Sequence, residues 1–91
     1  MHIVEKQEGV MIRFKLAELL ADKSFREKRR IEWREVAAAT GIHPSTLSRM
    51  LSTPGYNAKT DNLNALCRFF SCSIGELVVY VPEESSSDVV E

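Results

Sequence analysis

Apolar side chains recur at Ile12, Leu16, Leu19 and Leu20, the spacing of one helix face, while Arg13, Lys15, Glu18, Asp22 and Lys23 lie off that stripe. The pattern predicts a first helix over residues 12–23. Ahead of it the periodicity is weak, and His2–Glu5 and Val10–Phe14 are short strand-like pieces. Behind it, Ser24–Ile31 holds four basic residues in eight. Ser24 and Glu27 match a capping box, which would start a helix at Phe25. The positions one and two turns beyond Phe25 are charged, however, so a basic loop with at most one helical turn is expected.

A second helix is predicted over Glu32–Ala39, where three alanines favour helix and Trp33, Val36 and Ala37 share a face. Thr40-Gly41 ends it, since glycine takes the left-handed conformation at little cost. Ile42 follows as an apolar plug. A third helix is predicted over His43–Leu51, with Pro44 at its first position, where no amide partner is lost. Leu47, Met50 and Leu51 form its apolar stripe, and Ser45, Thr46, Ser48 and Arg49 take the other faces. Ser52–Asn57 reads as a loop from its Pro-Gly pair. Thr60 or Asp61 caps a fourth helix with Leu63, Leu66, Cys67 and Phe70 inward. Phe70 fits that stripe, which leaves Phe69 to pack against the next helix, the chain ends or a second subunit. Ser73 caps a short fifth helix, Ile74–Val78, and the β-branched Leu77–Val81 run ends extended before Pro82. An N-terminal strand pairing with Val78–Val81, within one chain or between two, is expected. Past Pro82 the composition is polar and acidic, and disorder is expected.

The chain has 91 residues, suiting one domain, and a normal apolar fraction of 44%. No apolar run reaches the roughly 18 residues of a membrane span, and the charged N-terminus is no signal peptide. A soluble, cytoplasmic protein is expected. Cys67 and Cys72 lack a second ligand pair for zinc and read as small buried side chains. His2 and His43 have no evident catalytic partner, so neither an enzyme nor a cofactor is expected. The net charge of −1 is unevenly spread. Residues 11–60 hold ten bases and five acids, while the last ten residues hold four acids and no base. A basic body beside an acidic tail is compatible with phosphate binding.

The informative stretch is Glu35-Val36-Ala37-Ala38-Ala39-Thr40-Gly41-Ile42-His43-Pro44-Ser45-Thr46-Leu47-Ser48-Arg49-Met50-Leu51. Two short helices crossing steeply need a tight turn at Gly41 and a small residue, Ala37, where they approach. Val36, Ile42 and Leu47 lock the pair from inside, leaving the outer face of the third helix free for a major groove.

Val-Ala-x-x-Thr-Gly-Ile-x-x-Ser-Thr-Leu-Ser-Arg resembles the lambda-repressor-like, or Xre-type, helix-turn-helix regulators. The later Leu63–Leu77 segment, with Cys67, Cys72, Gly75 and Leu77, is similar to the family as well. The resemblance covers roughly Ile12–Pro82. It implies an all-α, five-helix domain, here with short N- and C-terminal strands. The expected division is an arm or strand over 1–11, the DNA-binding domain over 12–81 and an acidic tail over 82–91. Carried over by position, Pro44, Ser45 and Arg49 stand where the family places base-reading side chains, with Thr46 and Ser48 nearby. Arg49 suits a bidentate contact to guanine, and Pro44 only an apolar contact such as a thymine methyl. His43 stands at the cap, where it either touches a phosphate or caps poorly. Asn57 and Lys59 match positions that meet the DNA backbone.

This chain departs from the family twice. The stretch holding Arg26, Lys28, Arg29 and Arg30 replaces a tight glycine-containing turn, and is either a phosphate-contacting loop or a solvated one. Glu32 and Trp33, followed by Arg34, stand where the second helix of the family begins facing phosphates, though a tryptophan is more often a core residue. The implied partner is double-stranded DNA, bound by a homodimer, and the implied function is a transcriptional regulator, a repressor in a prokaryote or phage. The alternative is an antitoxin-like protein that binds a protein partner and autoregulates its operon.

Overall fold

The computed structural model describes residues 11–82, and the expectations for His2–Glu5 and for the acidic tail fall outside them. The elements in order are β1 (Met11–Phe14), α1 (Leu16–Glu27), α2 (Trp33–Thr40), α3 (Pro44–Ser52), α4 (Thr60–Phe70), α5 (Ile74–Leu77) and β2 (Val78–Val81). The five helices are those expected, and β1 and β2 pair antiparallel within the chain, Met11 opposite Val81 and Phe14 opposite Val78.

The helices bury one face each around a single core. Leu16, Val36, Leu47, Met50, Leu66, Phe70 and Leu77 are its most enclosed members, joined by Phe14, Ile31, Ala37 and Ile42. Two of these come from connections. Ile42 plugs the α2–α3 turn as expected, and Ile31, inside the basic stretch, plugs the α1–α2 connection. Ala37 of α2 is buried in the core, a small residue of the kind that close helix approach needs.

The first helix differs from its expected span at both ends. Ile12 lies in β1 and is 45% exposed, and Phe14 is buried in its place. At the other end α1 continues through Ser24–Glu27 instead of giving way to a loop. Ser24 Oγ does not start a helix; it accepts the Ile31 amide at 3.3 Å. Lys28 stops α1 in a left-handed conformation, φ 57, its amide reaching Phe25 O while the Arg29 amide reaches Ser24 O. This paired closure is the Schellman arrangement usually built on glycine. Ser71, φ 54, closes α4 in the same way.

Smaller corrections concern caps and packing. Thr60 and Asp61 lie inside α4, whose cap position is Lys59 with no side-chain hydrogen bond. Asp61 still favours the first turn electrostatically. At α5 the Ser73 amide donates to Glu76 Oε1 at 2.8 Å. Leu51 is 37% exposed rather than part of the buried stripe. Cys67 and Cys72 are free and half-buried rather than buried. Burial, and then the neighbouring Cys67, push the Cys72 thiol up to about 11, so it stays protonated. Phe69 packs edge-on against Phe70 and beneath the Lys23 ammonium of α1, 5.0 Å from its ring centre.

The sheet clasps the bundle. Lys15 N donates to Leu77 O at 2.8 Å, and Gly55 N donates to Ile12 O at 2.9 Å. The first bond ties the start of α1 to α5, and the second closes the outer edge of β1 against the loop after α3.

Candidate nucleic-acid interface

Gly41 makes the α2–α3 turn at φ 78. A Cβ there would meet nothing within 4 Å, so the demand for glycine is conformational and not steric. Thr40 Oγ1 donates to Val36 O at 2.7 Å and accepts the Ile42 amide at 3.2 Å, which stiffens the turn. Ile42 and Leu47 are buried beneath it, so α3 is held by its inner face alone.

Leu47 and Met50 take that inner face. Pro44, Ser45, Ser48, Arg49 and Ser52 are exposed, and the helical period gathers them on the opposite side. Four of the five expected base readers therefore share one solvent-facing surface, while Thr46 stands half-buried at its flank. Ser52 and Leu51 were not among the expected site residues. Their signal was the Pro44–Ser48–Leu51–Ser52 spacing of i, i+4, i+7, i+8.

His43 caps α3. Its Nδ1 accepts the Ser45 amide at 3.0 Å, and Ser45 Oγ lies 2.9 Å from the same nitrogen. An imidazole used in this way carries its proton on Nε2, which leaves a donor on an exposed ring. Ser52 Oγ donates to Ser48 O at 2.9 Å and is occupied locally.

Trp33 is half-buried against the core at the start of α2, with Arg34 exposed beside it. A cleft of about 280 Å³ runs between them and α3, lined by Trp33, Arg34, Pro44, Leu47, Ser48 and Leu51.

The expected phosphate contacts differ in their freedom. Arg29 grips Glu35 with two nitrogens, at 3.0 and 2.8 Å, and Glu27 with a third at 3.0 Å. The pairing raises its own proton affinity further and holds the Glu35 carboxyl below the ordinary range. Glu27 is lowered too, first by its hydrogen bond from Lys23. Arg26 pairs with Asp22 and Arg30 with Glu32, each at 3.1 Å. Lys28, Arg34, Arg49 and Lys59 make no ion pair with another described residue. Asn57 and Lys59 are exposed in the connection to α4.

Among the described residues no three metal-ligating side chains gather, and no helix is long and apolar enough to cross a membrane. Residues 15–83 match a family model described as the Cro/C1-type HTH DNA-binding domain. No curated protein and no solved structure matches the chain.

Proposed function

The chain belongs to the Cro/C1-type helix-turn-helix family of DNA-binding regulators, and on that premise we propose that it is a sequence-specific repressor that lays α3 in the major groove of an operator. The observation that carries this reading is the outer face of α3. It is polar and exposed, it is backed by the buried Leu47 and Met50, and beside it stands Arg34, which makes no ion pair with another described residue.

In this reading Arg49 takes a guanine, Ser45 and Ser48 make short contacts to bases or phosphates, and Pro44 makes an apolar one. Thr46, half-buried, supports from the flank. The His43 Nε2 donor, Arg34, Lys28, Asn57 and Lys59 reach phosphates. Trp33 contributes packing against the backbone. Arg26, Arg29 and Arg30 contribute less, because carboxylates already compensate them.

One α3 offers few base contacts, so the protein acts as a homodimer whose two copies of α3 sit about 34–36 Å apart. The surface that suits a second copy is an open groove of about 610 Å³ on the β1–β2 sheet. Ile12, Ile74 and Tyr80 are 45, 52 and 58% exposed around it. No charged side chain among the described residues lines it, so those residues of two identical copies meet there without repulsion.

The test is selection of short duplexes from a randomised pool by the purified protein at two salt concentrations. A near-palindromic motif with steep salt dependence is expected. Arg49→Ala should cost about 1–3 kcal/mol of discrimination at one position per half-site. Weak, motif-free binding would sink the proposal and move the search to a protein partner, as an antitoxin-like role requires.

A further inference from the structure

We propose that the cleft between Trp33 and the Pro44–Ser48–Leu51 edge of α3 receives the 5-methyl group of a thymine, which makes Trp33, Pro44 and Leu51 specificity-determining residues. This rests on the reading of α3 as the groove-facing helix.

Four of the six lining side chains, Trp33, Pro44, Leu47 and Leu51, are apolar, and the other two are a hydroxyl and a guanidinium. No carboxylate of the described residues lines the cleft, so none of them repels a nucleic-acid backbone there. Arg34, with no described ion partner, stands on its rim to hold a phosphate. The cleft also adjoins a reading face of short reach. Ser45 Oγ is close to His43 Nδ1, Ser52 Oγ is bonded to Ser48 O, and Pro44 has no donor. Arg49 alone can make a bidentate base contact. Ser45 and Ser48 add at most a single hydrogen bond each, so much of the discrimination at other bases falls to shape and apolarity. In the major groove the one apolar group that distinguishes a standard base is the thymine methyl.

The experiment uses the full chain and the duplex enriched by selection, with each thymine replaced in turn by uracil, which removes only the methyl. At one position per half-site the affinity should fall roughly 3- to 5-fold, the effect of one methyl leaving an apolar site. Pro44→Ala and Leu51→Ala should bind thymine and uracil duplexes alike at that position while keeping the guanine preference set by Arg49. Pro44 occupies the first helical position, where alanine is tolerated, so loss of folding does not confuse its result. An enriched motif with no methyl-sensitive thymine would overturn the cleft proposal and leave the regulator reading standing. So would a methyl effect unchanged in both variants. Failure to enrich any motif would overturn both readings.

Discussion

Lys28 ends α1 at a left-handed φ of 57, a conformation that costs a residue with a Cβ roughly 1–2 kcal/mol and glycine almost nothing. Glycine would also loosen the unfolded chain, which offsets part of that gain. Lys28→Gly is therefore expected to stabilise the domain by about 0.5–1 kcal/mol. Ser71→Gly, at φ 54, should move in the same direction. Urea unfolding followed by circular dichroism reads both, and a loss of stability in either would show that its side chain contributes more than its backbone costs. The same residues explain what was illegible in sequence. A helix that ends at Gly41 announces itself, whereas one that ends at a lysine or serine does not. Ser24 and Glu27 carried the pattern of a helix start because pattern alone does not tell which amide a serine will accept.

Elements were most legible where the sequence carries local punctuation. Pro44, the Pro54-Gly55 loop and Ser73 placed α3, α4 and α5 to within a residue or two. The start of α1 was misread because Ile12 and Leu16 are four apart, a helical spacing, while β1 is specified by pairing with Val78–Val81, far outside any local window. The exposed face of α3 could be read from its period, but the pairing of Arg29 could not, since Glu35 comes to it only through folding. That pairing divides the basic residues. Lys28→Ala and Arg34→Ala should each lower the salt slope of DNA binding by about one. Arg29→Ala should change the slope less, because Arg29 already neutralises carboxylates and releases few counterions. Equal slopes for all three would contradict the division. The pH dependence has a definite sign. Glu27 and Glu35 lie below the ordinary carboxylate range, so the ion pairs persist at neutral pH and are lost as pH falls through those lowered values.

At the scale of the whole molecule, Leu77 joins the helical core to the sheet. Its side chain is fully buried, its carbonyl accepts the Lys15 amide, and β2 begins at the next residue. Leu77→Ala is expected to cost about 2–5 kcal/mol, a large share of what so small a domain possesses. Urea unfolding followed by circular dichroism should show the loss as a single transition at lower denaturant. A second transition would mean that the sheet unfolds apart from the bundle.

The pairing of Met11 with Val81 also determines how the domain bears a load. The chain enters and leaves the described fold at one end of the same strand pair. Tension applied through its two ends is thus focused on the outermost rung of the ladder. The rungs give way in succession from Met11–Val81 towards Phe14–Val78, as a zip does, instead of sharing the force as they would in shear. The domain is mechanically soft along this axis, and pulling would peel the clasp before it disturbed the turn at Gly41.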